Sequence, residues 1–128
     1  MDFCKYNGIN FVFLVDRLTG YIHCEKTANQ CTSSAILAVK HWASRNGLPY
    51  KIISDTGGGF RDNFFKQLQE MGVSQHPSSA YHSESNSLAE RAVRSLKDVL
   101  KKSSGRITDL HISEIVFAIN AHVSAEGT

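Results

Sequence analysis

The hydrophobic positions near the start of the chain follow strand periodicity. Residues 9–15 (INFVFLV) form a nearly continuous apolar run, which predicts a strand that is covered on both faces. Asn7-Gly8 before this run is a strong hairpin signal, and shorter strands are predicted on either side, at residues 2–6 and 21–25. The chain is therefore predicted to begin with an antiparallel meander of three strands.

Helical periodicity alternates with two further strands in the rest of the chain. Thr32 or Ser33 is predicted to cap a helix that runs to about Arg45, and Gly47 supplies its C-terminal cap. Strand–helix–strand order favours parallel pairing of the two later strands. The expected fold class is therefore a mixed α/β sheet, with three antiparallel strands and then two parallel ones, flanked by helices. The later strands are predicted at residues 50–54 and 73–76, and the later helices at residues 61–71, 87–103 and from 109 onward.

Length and charge narrow the classes of function only slightly. A chain of 128 residues forms one domain with a real core, and its formal net charge of +2 is too small to indicate a nucleic-acid partner by itself. No apolar run approaches the length of a membrane span and no signal peptide is evident, so we expect an intracellular protein without a membrane partner. The three cysteines lack a C-x-x-C spacing and are expected to be reduced thiols.

One acid and three bases lie on a single ridge of the helix predicted at residues 87–103. Their spacing of four, three and four residues places them on one exposed face: Glu90, Arg94, Lys97 and Lys101. An acid beside bases suits a site at which a metal ion meets a phosphodiester. A purely structural interpretation is also open, because Ser87 and Glu90 form a capping box and the acid-to-base order complements the helix dipole.

Three acids occupy positions at which α/β sheets build ligand sites. Asp2 lies in the first strand, Asp55 at the carboxyl end of the fourth, and Glu90 at a helix start. Converging carboxylates are neutralised by hard cations such as Mg²⁺ or Mn²⁺, and two such ions hold the attacking and leaving oxygens of a phosphoryl displacement. Two structural alternatives stay open on spacing alone. Asp16 is an equal candidate for the first acid, and Asp55 before its glycines is also typical of a turn.

Four segments carry family-like motifs in order: MDF, FLVDRLTGY, RNGLPYKIISDTGGGF and SSAYHSESNSLAERAVRSLK. Together they resemble the catalytic core domain of retroviral and gypsy-type LTR-retrotransposon integrases over nearly the whole chain. The resemblance implies a ribonuclease-H-like fold and a DDE triad, in which Asp2, Asp55 and Glu90 are the catalytic residues and bind two Mg²⁺ or Mn²⁺ ions. It also implies that Asp16 is not catalytic.

The activity implied by the resemblance is hydrolysis at the 3′ end of element DNA, followed by direct transfer of that end into target DNA. The implied DNA contacts are Tyr81, Asn86, Arg94 and Lys97, to which the charged ridge adds Lys101. The basic side chains would bind phosphates without regard to base sequence. DNA and further copies of the same chain, as a homodimer or larger oligomer, are the expected partners, and the nucleus is the expected location.

Three positions depart from the motifs of that family, since Thr56, Ser83 and Ser87 stand where Asn, Pro and Gly are usual. No zinc-binding module precedes the motifs and no DNA-binding module follows them, so a single integrase core domain is expected over residues 1–128. These features leave open a decayed or domesticated module that binds DNA or associates with itself. A ribonuclease H or another nuclease of the same architecture is a third possibility, which the SNSLAER segment disfavours.

Overall fold

Five strands and four α-helices make up the part of the chain that the structure describes, a computed structural model covering residues 1–55, 57–77, 87–102 and 109–127. The order of these elements confirms the predicted mixed α/β class, and most boundaries fall within two residues of those predicted. The strands are β1 (Asp2–Tyr6), β2 (Ile9–Val15), β3 (Ile22–Thr27), β4 (Lys51–Ser54) and β5 (Ser74–Pro77). The helices are α1 (Thr32–Asn46), α2 (Asp62–Glu70), α3 (Ser87–Lys102) and α4 (Asp109–Gly127), and a 3₁₀ turn spans Gly58–Phe60.

The strands form two hydrogen-bonded groups that adjoin at β1 and β4. In the first group β2 pairs antiparallel with both β1 and β3, and in the second β4 and β5 pair in parallel, as predicted. A hydrogen bond of 2.9 Å from the Met1 nitrogen to the Ile53 carbonyl links the start of β1 to β4. Asn7 (φ 52°) and Gly8 (φ 78°) both adopt positive φ, which is the hairpin turn expected from their sequence.

β2 lies between the two halves of the core, because its side chains alternate between two hydrophobic clusters. Val12 and Leu14 face the cluster formed with α1 and α2, whereas Phe11 and Phe13 face the cluster formed with α3 and α4. All four side chains are at most 5% exposed, which confirms the prediction of a strand covered on both faces. Trp42 of α1 packs in the first cluster and is a core residue.

The two ends of α1 differ in how well the sequence predicted them. Gly47 ends the helix with φ 82° and donates its N–H to the Ala43 carbonyl, as expected of a C-terminal cap. The predicted N-cap is wrong, because the capping position is Cys31, whose side chain makes no capping hydrogen bond. The Thr32 hydroxyl instead donates to the Gly59 carbonyl at 3.0 Å, so a tertiary contact uses the group that was expected to cap the helix.

α4 closes the outer edge of the sheet through one side chain. The Ile22 N–H donates to Asn120 Oδ1 at 2.8 Å, and Asn120 Nδ2 donates back to the Ile22 carbonyl at 3.0 Å. The amide therefore occupies both backbone groups of Ile22 as a neighbouring strand would. Among the described helices, α4 included, none is both long and apolar enough to cross a bilayer.

Candidate active site

Asp2 and Asp55 line one open recess at the place where β1 adjoins β4. Asp2 is the first residue of β1, and Asp55 directly follows the last residue of β4, so both carboxylates lie at strand ends. The recess has a volume of about 420 Å³, and its other lining residues are Phe3, Gln30 and residues 57–60. The structure thus brings two of the three predicted acids to one site.

A backbone amide orients each of these carboxylates. The Phe3 N–H donates to Asp2 Oδ1 at 2.8 Å, and the Gly57 N–H donates to Asp55 Oδ1 at 2.9 Å. Each donor lies within two positions of its acceptor, so the local chain fixes the side chain. A carboxylate held in this way loses little further rotational freedom when it binds a cation.

The recess disfavours a charged Asp2 when no cation is present. Burial raises the pKa of Asp2 and the charge of Asp55 adds to the rise, which together outweigh the opposing effects of the Phe3 N–H, the Lys97 ammonium and the N-terminal ammonium. None of the described residues that line the recess is basic, and Asp2 and Asp55 are the acidic residues among them. This set of oxygen donors fits a hard divalent cation such as Mg²⁺ or Mn²⁺.

Hydrogen bonds from β5 hold the chain on both sides of the glycine turn, which comprises residues 57–59. Gln75 Nε2 donates to Ser54 Oγ at 2.9 Å and to the Phe60 carbonyl at 3.0 Å. Ser54, which is 1% exposed, donates in turn to the Asp55 carbonyl at 2.9 Å. Gln75 therefore positions Asp55 through Ser54. Sequence reasoning missed this role, because a single polar residue in a short strand carries no signal of its tertiary partners.

Gly59 is the glycine of this turn whose missing side chain matters most. A Cβ atom there would lie 2.6 Å from the Gln30 carbonyl oxygen and 2.9 Å from the Cys31 carbonyl carbon. Both neighbours are backbone atoms, which cannot rotate away as the end of a side chain can. The chain segment that leads into α1 therefore packs directly against the backbone of this turn, which the absence of a side chain at Gly59 permits.

An aromatic stack fixes β1 against the same turn. The Phe3 and Phe60 rings stack with centroids 4.9 Å apart, and Phe64 of α2 meets Phe60 edge-on at 5.3 Å. Phe3 follows Asp2 directly in the chain, and Phe60 belongs to the turn that follows Asp55. The stack therefore holds the two carboxylate-bearing segments together from the core side.

α3 brings one predicted DNA-contacting base beside Asp2. Lys97 Nζ lies 5.5 Å from the centroid of the Phe13 ring, and Phe13 is the register partner of Asp2 between β1 and β2. Arg94 and Lys101 are exposed on the same helix. Positive charge therefore borders the acidic recess on the side of α3.

Glu90, the third predicted acid, is exposed in the first turn of α3 and does not line the recess with Asp2 and Asp55. The helical repeat places it on the same face of α3 as Lys97, two turns nearer the start of the helix. The structure thus puts Glu90 on the helix that borders the recess. Its membership of the site stays a prediction.

Several sequence-derived assignments lie outside the described residues. Tyr81 and Asn86, the other predicted DNA contacts, belong to this set, as do the unusual residues Thr56 and Ser83. Ser87 begins α3, but its side chain is also outside the description, so the capping box stays a prediction.

Asp16, the alternative first acid, has a structural role in the turn after β2. Its Oδ1 accepts hydrogen bonds from the N–H groups of Leu18 at 2.8 Å and Thr19 at 3.2 Å. Such a side-chain-capped turn is a common use of aspartate. Asp16 is also not among the residues that line the recess.

Two curated proteins share sequence similarity with most of the chain. An uncharacterised protein of Caenorhabditis elegans is 32% identical over 100 residues, which is 77% of this chain and 8% of that protein. The Pol polyprotein of caprine arthritis encephalitis virus (strain Cork) is 29% identical over 103 residues, 80% of this chain and 9% of that protein. The chain thus spans less than a tenth of the length of either relative. No protein-family model matches it.

Solved structures with the same fold cover more than nine-tenths of the chain. The catalytic core domain of BIV integrase superposes with a TM-score of 0.77 at 18% identity, over 92% of this chain and 79% of that one. The core of HTLV-2 integrase, in complex with magnesium and in a dimeric form, gives 0.64 at 16% identity, over 91% and 78%. A chain of the simian T-cell lymphotropic virus intasome, in complex with the PP2A regulatory subunit B56 gamma, gives 0.68 at 18% identity, over 91% and 45%. The chain thus has the ribonuclease-H-like fold of retroviral integrase catalytic cores and shares sequence similarity with a retroviral Pol polyprotein.

Proposed function

We propose that this chain is a polynucleotidyl transferase core, which hydrolyses and joins DNA phosphodiester bonds with two divalent metal ions. The observation that carries the proposal is the shared recess of Asp2 and Asp55, where two oriented carboxylates meet without a basic residue among the described lining residues. Structural carboxylates are normally paired with a base or solvated separately. A recess that holds two of them, and in which burial raises the pKa of Asp2, is instead suited to a cation.

In this proposal the chain's own residues hold the reactants in line. Asp2 and Asp55 hold the metal ions together with Glu90, and the bound ions stabilise the attacking and leaving oxygens. The nucleophile is first water and then the 3′-hydroxyl of the processed end. In each step a new P–O bond forms as the old one breaks, and no covalent bond to the protein is made.

The bases of α3 provide the DNA-binding surface. Lys97 lies beside Asp2, which supports a role for its ammonium in holding a phosphate next to the one that reacts. Arg94 and Lys101 extend the same exposed ridge and would bind the backbone without reading bases. Tyr81 and Asn86 complete the proposed contacts. Binding should weaken steeply as salt is raised, because phosphate contacts release counterions.

The proposed partners are element DNA, target DNA and a second copy of the chain. The HTLV-2 core of the same fold was solved in a dimeric form, and another neighbour is part of an intasome. Because the proposed substrates are DNA, we propose that the chain acts in the nucleus.

The test is the reversal of strand transfer on a branched DNA substrate with Mn²⁺. Asp55→Asn and Glu90→Gln should each lower the rate at least about 100-fold, the scale on which one group that stabilises a transition state acts. Asp16→Asn is the matched control. It makes the same chemical change at an acid that caps a turn, and its side-chain oxygen can still accept the Leu18 and Thr19 N–H groups.

The outcomes separate the possibilities sharply. Equal activity in all variants would mean that the cleavage comes from a contaminating nuclease, and the proposal would fail. A chain with native circular dichroism that binds Mn²⁺ but leaves branched DNA intact would also contradict it. Activity lost in Asp55→Asn alone, with Glu90→Gln unaffected, would remove Glu90 from the site.

A further inference from the structure

A second group of metal-ligating side chains lies away from the acidic recess. Among the described residues, His23, Glu25 and His41 are the group of three whose ligand atoms all lie within 4.8 Å of one another. Glu25 Oε1 is 2.8 Å from His23 Nε2 and 2.8 Å from His41 Nδ1. Two imidazole nitrogens therefore point at one carboxylate oxygen.

Strand alternation explains how two of these residues meet. His23 and Glu25 are two apart in β3, so they share a face, while Cys24 between them is buried on the opposite face against α3 and α4. Their register partners Leu14 and Val12 face α1. The pair therefore points toward α1.

α1 supplies the third residue from its surface side. His41 precedes the buried Trp42, and its side chain is 50% exposed, compared with 13% for His23 and 19% for Glu25. The cluster is thus closed toward the sheet and open toward solvent. An ion could enter there, and a water molecule could occupy the side that the protein leaves free.

We propose that His23, Glu25 and His41 bind one divalent transition-metal ion of the zinc class, at a site separate from the acidic recess. Two imidazoles and one carboxylate are a donor set that zinc accepts, with water as the fourth ligand. Ligands about 2.0 Å from a tetrahedral ion stand about 3.3 Å apart, so contacts of 2.8 Å need to open only slightly. Imidazole also favours Zn²⁺ over Mg²⁺, which prefers oxygen.

The metal-free contacts are compatible with metal uptake. Glu25 Oε1 already lies within hydrogen-bonding distance of both imidazoles, so the three ligand atoms are gathered before an ion binds. A neutral imidazole can expose the required nitrogen by moving its proton to the other ring nitrogen. Binding would then replace two hydrogen bonds with three coordinate bonds that join β3 to α1.

The test is calorimetric titration of Zn²⁺ into metal-free, untagged protein that carries Asp55→Asn. That background change disables the acidic recess, so the result does not depend on the proposed catalytic function. We expect one Zn²⁺ per chain. His41→Ala and Glu25→Gln should each weaken binding more than about 100-fold, since even partners outside a metal's ligand set are worth 10–100-fold.

Matched controls separate this site from other histidines and thiols. His111→Gln changes an exposed histidine on α4, and Cys31→Ser removes the exposed thiol; both should leave the affinity unchanged. Co²⁺ in place of Zn²⁺ should show the visible absorption of a tetrahedral site, and His41→Ala should abolish it. Glu25→Gln keeps the side-chain volume and guards against a result caused by unfolding.

Two results would overturn the proposal. One is the absence of Zn²⁺ binding to the Asp55→Asn protein at micromolar concentrations of Zn²⁺. The other is binding that survives both His41→Ala and Glu25→Gln, which would place the ion elsewhere. Failure of the DNA-joining test would leave this inference standing, because its readout is metal affinity and not catalysis.

Discussion

Asp2 shows how one residue can serve a site and oppose folding at the same time. Its carboxyl is partly buried beside Asp55, and burial raises its pKa in the folded chain. Folding therefore costs free energy whenever Asp2 is ionised and no cation is bound. Functional sites commonly carry this kind of local cost.

We predict that Asp2→Asn raises the melting temperature of the metal-free protein near neutral pH. A carboxyl whose folded pKa lies above its unfolded value favours folding below the unfolded pKa, and this contribution is lost as pH rises through the folded pKa. The gain from Asp2→Asn should therefore shrink in acid, below the unfolded pKa of about 3.9. Thermal unfolding in EDTA at several pH values measures this gain in melting temperature. Asp16→Asn is the control, and a variant less stable than the parent at neutral pH would refute the argument.

At the scale of one element, the glycine turn shows that two glycines only two positions apart tolerate a side chain to different degrees. At Gly59 a Cβ would meet backbone atoms at 2.6 Å, whereas at Gly57 it would meet, among the described residues, Asp55 Oδ1 alone, at an ordinary 3.8 Å. Gly57 also has φ −98°, which any residue adopts. The two positions therefore form a matched pair in one turn.

Gly59→Ala should destabilise the fold by about 1–3 kcal/mol, the usual cost of inserting an atom into a packed site. Gly57→Ala should stay within about 0.5 kcal/mol of the parent. Urea unfolding gives both values. Gly59→Ala should also weaken Mn²⁺ binding, because the displaced turn carries the wall of the recess. Equal stability of the two variants would mean that the chain leading into α1 yields easily.

Sequence patterns predicted the elements better than the contacts between them. The apolar run of β2 and the Asn7-Gly8 turn specify local structure, and both were predicted correctly. The Thr32 cap failed because the hydroxyl has a partner 27 residues away, which no local pattern shows. The recess could be predicted only through resemblance, since spacing alone left Asp16 and Asp2 equal. The cluster of His23 and Glu25 with His41 could not be predicted for the same reason, because His41 comes from another element.

At the scale of the whole molecule, the three thiols lie in three different environments. Cys31 is exposed, whereas Cys4 is partly buried and Cys24 lies in the cluster formed with α3 and α4. Burial raises the pKa of Cys4 to about 11 and that of Cys24 to about 12. Only thiolates react readily, so the folded chain should present one reactive thiol.

We predict that DTNB modifies one thiol of the native protein rapidly at about pH 8, a value below the unperturbed thiol pKa of about 8.5 but near enough for an exposed thiol to react. The other two thiols should react only as fast as the core opens, and all three should react in denaturant. Cys31→Ser should remove the rapid phase alone. Rapid modification of two or three thiols would show that the sheet and its helices separate easily.

The amide of Asn120 has a consequence for how the chain is made. It closes the edge of β3 from a position 98 residues further along the chain. While a ribosome synthesises the residues between them, Ile22 has emerged but its partner does not yet exist. An unclosed strand edge is a template for pairing with another polypeptide, and neighbouring nascent chains on one messenger RNA offer such strands. The sheet is therefore completed only after translation reaches α4.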